Sequence, residues 1–454
     1  MHALLNHRSS PSNRWAVRHL ATSLLIVAMV LLLAACNRNN EPTPTPTVTS
    51  PAVADAATTP GLTNAGETAA EVPATPTIAP TPTPQAGRIV LWHSWAQAEG
   101  DALAEILTQF QAAQPAIQID TLYVAPNDLV PSYADAVAAG SGPDLIIAPN
   151  WWLGDLVEAN ALLNLDTLAP ADLEDRAWPA TVDAMRYQGA LYGLPLTYNL
   201  VALYVNNALV PPDGLPADLD TLLDTARSTP TAGLGLYATL FHTYWGLPAY
   251  GAQLINDQGV VTLDQSSGAA AYLTWLNQLN NTPGSYVNSD YGMLLDRFKK
   301  GEFAYLVDGP WALPDLRTAL GDTLTVAPIP AGPDGPAQPW IYSDGLFINP
   351  SVTAEQQTLA LTVALFFSGD PAGTTLASVG GLLPAARNAD LSSTPLLQGF
   401  ADQAASAAPM PATPEMDAVW TYGGDMILKA LTNVAPPPAI VAETTALINE
   451  ANGK

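Results

Sequence analysis

RIVLWHSWAQAEGDALAEILTQFQAAQPAIQIDTLYVAPNDLVPSYADAVAAGSGPDLIIA, residues 88–148, changes period four times. RIVLWH (88–93) is an apolar strand. The segment after it places Leu103, Ile106, Leu107 and Phe110 at i, i+3, i+4 and i+7, one face of a helix that Pro115 stops. IQIDTLY (117–123) alternates as a strand, residues 128–139 have the composition of a second helix, and DLIIA (144–148) is a buried strand. This βαβαβ order predicts an α/β fold with a mainly parallel sheet covered on both faces, and ligands beyond the carboxyl ends of its strands. Those ends carry His93, Ser94 and Trp95 after the first strand, and Asn150, Trp151 and Trp152 after the third.

Upstream of this stretch the chain is of another kind. Arg8, Arg14 and Arg18 precede the apolar run ATSLLIVAMVLLLAA (21–35), which is shorter than the roughly 20 residues of a membrane-spanning helix and flanked as an export signal is. Cys36, the only cysteine, closes it, and Leu33-Ala34-Ala35-Cys36 resembles the lipobox of bacterial lipoproteins. That resemblance implies a signal peptide over 1–35, acylation of Cys36, and an exported chain lipid-anchored to the outer face of the cell membrane. No cysteine is left for a disulfide, a metal or a thiol nucleophile. Residues 37–87 contain no aromatic residue and are dominated by Thr, Pro and Ala, a composition that cannot bury enough apolar surface to order itself. Residues 36–87 therefore read as a lipidated tether. Its prolines bias it towards extended polyproline II, beyond the roughly 40 Å of a flexible coil.

The remainder is long enough for two lobes at about 100–200 residues each. In the first 87 residues Arg8, Arg14, Arg18 and Arg38 balance Glu41, Asp55, Glu67 and Glu71, so the net charge of −26 belongs to the body. Such a surface argues against nucleic-acid binding, which needs clustered Lys and Arg. Phosphate-cradling, zinc-protease and nucleophile-elbow motifs are missing, and the body has only two histidines, His93 and His242, so neither an enzyme, nor a cofactor, nor a metal is expected. Carboxylates are plentiful and fall mostly at helix starts or polar faces; Asp264 reads as the N-cap of a helix over 269–279.

Aromatic residues at loop and helix starts are more distinctive. Trp245, Trp311, Trp340 and Trp420 each stand beside Gly, Pro or a polar residue. Flat aromatic faces stack on the C–H faces of pyranose rings while polar groups around them address hydroxyls, so a cleft of Trp and Tyr suggests sugar.

Several patterns then occur in order: GPDLII (142–147) with WWLGDL (151–156), YQGALYGLP (187–195), LYVN (203–206), FKKGEF (298–303) leading into DGPW (308–311), APIPAGP (327–333), PMP (409–411) and MDAVW (416–420). In order and spacing the chain resembles the extracellular solute-binding proteins of ATP-driven importers, in the group of the maltose/maltodextrin-binding proteins. The resemblance implies a two-lobed, periplasmic-binding-protein-like clamshell of type II, closing on a sugar by hinge motion. It implies lobe one over 88–198 continued by 342–370, and lobe two over 199–341 continued by 371–454, with crossings near Tyr198-Asn199 and Ile341-Tyr342-Ser343. Trp311 and Trp420 match the family's stacking tryptophans of the second lobe, and Met410 a methionine near the same sugar. Asn150, Trp151 and Trp152 match a lobe-one contact loop, but Trp151 and Trp152 stand where the maltodextrin group has an acid–base pair. Asn199 stands where the family places a sugar-binding glutamate, and His242 near a ligand-contacting tyrosine. Trp95 joins them as a strand-end candidate.

These departures keep the stacking platform and change the readout of hydroxyls. The resemblance implies a substrate-binding lipoprotein that captures a di- or oligosaccharide, a maltodextrin first, and delivers it to the permease subunits of an ABC transporter; the chain is expected to be a monomer. Trehalose, sucrose, a glycerophosphodiester or a polyamine are alternative cargoes, the last on Asp144, Asp308 or Asp344. A sensory or adhesion module and a tethered glycosidase also remain open at this stage.

Overall fold

The computed structural model describes residues 86–211 and 214–454. The export signal, Cys36 and nearly all of the tether lie outside the described residues.

The opening βαβαβ forms as its periods require. Strand β1 (Gly87–His93) pairs in parallel with β2 (Ile117–Tyr123) and β3 (Leu145–Pro149). Between them the helix Ala98–Ala113 buries Ala102, Leu103, Ile106 and Phe110, with Glu99 and Asp101 in the first turn where the helix dipole favours negative charge. The helix Pro126–Ala138 begins two residues earlier than its composition suggests, because Pro126 suits a first helical position. A hairpin, β4 (Arg186–Tyr187) and β5 (Ala190–Leu191), then leads into β6 (Gly193–Asn199).

Here the chain changes sheets. Strands β7 (Ala202–Asn206), β8 (Leu234–Tyr237), β9 (Tyr286–Asn288), β10 (Tyr305–Asp308) and β11 (Leu324–Ala327) form a second sheet in the order β11-β7-β10-β8-β9. It returns on β12 (Trp340–Ile348), which sits between β6 and β3 and runs against both. The first sheet is thus mixed rather than mainly parallel. The start of β12 lies beside the end of β6, Tyr342 opposite Asn199, so the returning strand runs the opposite way. Short strands β13 (Leu383–Pro384) and β14 (Ala408–Pro409) complete the set, on β6 and on the start of β12.

Each sheet has its own core. One gathers Leu91, Phe110, Ile146 and Phe347; the other gathers Leu236, Trp245, Tyr272 and Trp275, closed over by the helices Gly268–Asn280, Met416–Leu431 and Pro437–Ala451. Two sequence expectations shift. The helix Asp370–Ser378 packs on Ala98–Ala113, and β13 bonds to β6, so residues 370–384 attach to the first sheet although the expected second lobe starts at 371. Asp264 lies in the 3-10 turn Leu263–Gln265 and does not cap the helix Gly268–Asn280, whose N-cap is Ser267. An N-cap must directly precede the first turn, and Asp264 is three residues too early.

Candidate functional site

Three elements of the first sheet and three beside the second present side chains to one another. From the first come Trp95 after β1, the 3-10 turn Asn150–Trp152 after β3, and β12 itself. From the second come the helix Leu240–Thr243 after β8, the turn Pro310–Ala312 after β10, and the helix Met416–Leu431.

The turn after β10 shows why its sequence is Gly-Pro-Trp. The Trp311 indole folds back over Gly309, where a Cβ would come within 2.1 Å of the ring. Pro310 opens the 3-10 turn with a φ already suited to it. Trp311 is left partly buried, with Phe241 6.1 Å away between ring centroids. Phe241 lies 5.8 Å from Tyr342 of β12, and Tyr342 5.2 Å from Trp151. Trp151, Tyr342, Phe241 and Trp311 thus form a continuous, partly exposed aromatic run from one sheet's strand ends to the other's. A second group stands at the start of β12: Tyr244 stacks on Trp340 at 3.8 Å, and Trp340 meets Trp420 edge-on at 5.2 Å. Burial lifts the Tyr244 hydroxyl to about 12.

A pair of carboxylates adjoins the run. Trp95 Nε1 donates to Asp344 Oδ2 at 3.1 Å. Burial raises the Asp344 pKa against that hydrogen bond. Glu99 is raised by burial and by the charge of Asp344, against a hydrogen bond from the Ala96 backbone. Both carboxylates push the already buried Tyr342 hydroxyl upwards. An ionised carboxylate only accepts hydrogen bonds, so this corner of the site suits a ligand that donates.

Of the residues singled out from sequence, Trp311, Trp420 and Trp151 are partly exposed within these aromatic groups. Trp152, next to Trp151, packs instead against the first sheet's core. Trp95 is 5% exposed and turned to Asp344. Asn150 is fully buried, its Oδ1 accepting from Ser343 N at 3.0 Å, so it ties β3 to β12. Asn199 ends β6 opposite Tyr342 and is partly exposed. Met410 is buried, its N–H bonded to Ile341 O. His242 is buried behind Phe241 and Trp311, with Nε2 3.4 Å from Asp308 Oδ1. Trp245 and Trp340 are core residues at 0% and 1% exposure. Asp144 and Asp308, considered for a cationic ligand, are buried as well, Asp144 accepting from Val90 N at 2.7 Å. Phe241, Tyr342, Tyr244 and Glu99 escaped the sequence reading. Their only local signal is position, at a strand end, a sheet crossing or a helix start. Among the described residues no group of three or more His, Cys, Asp or Glu could hold a metal ion.

Comparison with known proteins adds three relatives. The chain is 25% identical over 347 residues to the maltotriose-binding protein of Pyrococcus abyssi, covering 74% of this chain and 75% of that one. It is 22% identical over 346 residues to a maltooligosaccharide ABC transporter solute-binding lipoprotein of Streptococcus pneumoniae, covering 69% and 77%. The extracellular solute-binding protein of Staphylococcus aureus, solved in complex with maltose, superposes with a TM-score of 0.72 at 18% identity, over 82% of this chain and 98% of that one. This is the two-lobed α/β clamshell expected from the sequence. Residues 105–409 match the sequence profile described as bacterial extracellular solute-binding protein, two thirds of the chain, and the protein belongs to that family.

Proposed function

We propose that this protein is the sugar-capturing component of an ABC importer: exported, lipid-anchored through Cys36 to the outer face of the cell membrane, and delivering a maltooligosaccharide to separate permease subunits. The observation that carries the reading is the aromatic run Trp151–Tyr342–Phe241–Trp311, whose partly exposed rings come from the strand ends of both sheets. A sugar lying along it touches both lobes, and a ligand favours the closed form only through contacts it makes to both. Trp311 and Trp420 supply stacking faces from the second sheet's side and Trp151 from the first, while Asn199, Glu99 and Asp344 read hydroxyls. Asn150 holds the Trp151 turn on β12. Trp152, Met410 and His242 act from behind the surface. The relatives' cargoes support an α-linked glucose oligomer, and the protein acts as a binding monomer rather than a catalyst.

Calorimetric titration with maltose, maltotriose, trehalose and sucrose tests this. Saturable binding of maltotriose, with compaction in small-angle scattering, is the expected result; silence towards every sugar would refute it. One observation favours a second reading, a cationic solute: Asp344 and Glu99 stand close enough for the charge of one to act on the other, beside the aromatic run. A polyamine in the same titration decides between them.

A further inference from the structure

The stacking tryptophan rests on a buried polar assembly that stacking alone does not require. Asp308, the last residue of β10, has no exposed surface. Its Oδ2 accepts from the Tyr291 hydroxyl at 2.9 Å, and its Oδ1 accepts from Gly309 N at 2.8 Å. That same Oδ1 lies 3.4 Å from His242 Nε2, which makes no hydrogen bond, while His242 Nδ1 is 2.9 Å from Thr239 Oγ1. On the far side of the glycine, the Tyr204 hydroxyl donates to Gly309 O at 2.9 Å. Gly309 is therefore held at its N–H by a carboxylate and at its carbonyl by a buried phenol. It is this glycine that lies under the Trp311 indole. The imidazole of His242 meets the same indole edge-on, 5.8 Å between centroids and 79° between planes.

A buried carboxylate is costly unless it is paired and hydrogen-bonded, and an apolar support would hold an indole with less desolvation. What the polar assembly adds is direction: hydrogen bonds fix angles and distances that packing alone leaves loose. We infer that Asp308 is the positioning residue of Trp311, fixing the indole through Gly309 on one side and His242 on the other so that its face is presented to ligand in one orientation. This rests on the stacking role given to Trp311 above. Asp308 does not touch the ligand; it acts through Gly309, His242 and Tyr291, each of which it contacts and each of which meets the indole.

A double-mutant cycle tests it, on the protein carrying Asp308→Asn, Trp311→Ala or both, with maltotriose as probe and near-ultraviolet circular dichroism as a second readout. Residues that act through one another are non-additive. Asp308→Asn should weaken maltotriose about tenfold when Trp311 is present and less than about twofold when it is Ala. The indole bands of the dichroism change caused by Asp308→Asn should likewise vanish in the Trp311→Ala background, whereas tyrosine bands report the bond from Tyr291 to Asp308 directly. Equal losses in both backgrounds, or an indole-band change that survives removal of Trp311, would overturn the inference. Should Trp311→Ala leave maltotriose binding unaltered, the stacking reading fails, and the dichroism cycle still decides the positioning. If Asp308→Asn does not fold, Tyr291→Phe removes a single donor to the carboxylate and must give the same pattern at smaller amplitude; an additive effect there counts against it equally.

Discussion

Trp245 and Trp311 both contact His242, yet they serve opposite ends. Trp245 has no exposed surface; its Nε1 donates to His242 O at 2.7 Å, and Tyr272 and Trp275 crowd its edges at 5.8 and 6.0 Å. Trp311 has one face supported and another open. Both follow strand ends of the second sheet, and both have a glycine within two residues. A buried indole must satisfy its N–H within the protein and fill a volume, whereas a presented one must be held by few groups and left partly bare. The neighbouring helix Gly268–Asn280 covers Trp245, whereas Trp311 stays partly exposed.

The sharpest way to break this contrast is Trp245→Ala. Removing a fully buried indole should cost about 3–5 kcal/mol of stability, read as a fall in the urea midpoint, and leave the aromatic run chemically intact. If stability hardly moves, Trp245 is not core. Trp311→Ala and Trp420→Ala should do the reverse, each weakening maltotriose about tenfold, near 1.4 kcal/mol, with less than about 1 kcal/mol lost in the unliganded protein. Calorimetry beside thermal unfolding separates the two effects, and affinity unchanged in both variants would end the stacking proposal.

A smaller effect should follow from the carboxylates. Asp344→Asn and Glu99→Gln keep shape and remove charge, so maltotriose affinity should drop by roughly threefold each if ionised oxygens accept its hydroxyls, as hydrogen bonds to charged groups are the stronger ones. An unaltered dissociation constant would assign these residues to structure. The least of the four is a pH effect with a definite sign. Both carboxylates hold their protons to higher pH in the folded protein than in the unfolded chain. Between the ordinary carboxylate range and those raised values the folded state therefore binds more protons, and stability falls as pH rises. Thermal melts of the unliganded protein should show this slope, and Glu99→Gln should flatten it by a degree or so. Maltotriose affinity should run the other way, weakening as the pH drops through the same window.

What could be read from the sequence was what neighbours along the chain decide. Strands β1 to β3 and the helix Ala98–Ala113 follow from local period and from proline, and they appear within a few residues of expectation. The antiparallel place of β12 was invisible, since its partners β3 and β6 lie far upstream, with the strands of the second sheet between them and it in the chain. The same reason governs the site. Trp311 and Trp420 were found because a resemblance carried tertiary information into the sequence. Trp340 was grouped with the loop-side aromatics because Pro339 flanks it, whereas the residue begins a strand and is 1% exposed. Phe241 went unnoticed beside His242, and the structure reverses their order: the phenyl is partly exposed and the imidazole is behind it. Along a helix adjacent residues point about 100° apart, and which of two faces the cleft is set by packing.

Strand β12 is also a ruler. Trp340, Tyr342 and Asp344 alternate with Ile341 and Ser343, so they share one face at about 6.7 Å per two residues. They meet Trp420, Trp151 and Trp95 respectively. Three contacts of different chemistry are graduated along one backbone, held by β14 at Trp340, by β6 at Tyr342 and by both β3 and β6 at Asp344. Inserting or deleting one residue would turn the marks beyond that point to the opposite face unless a bulge absorbed it, as an irregularity does between Asp344 and Gly345. A lineage changing its cargo can therefore exchange the side chains at these marks but cannot move the marks themselves, and longer or shorter ligands must be accommodated from the loops beyond the strand's ends.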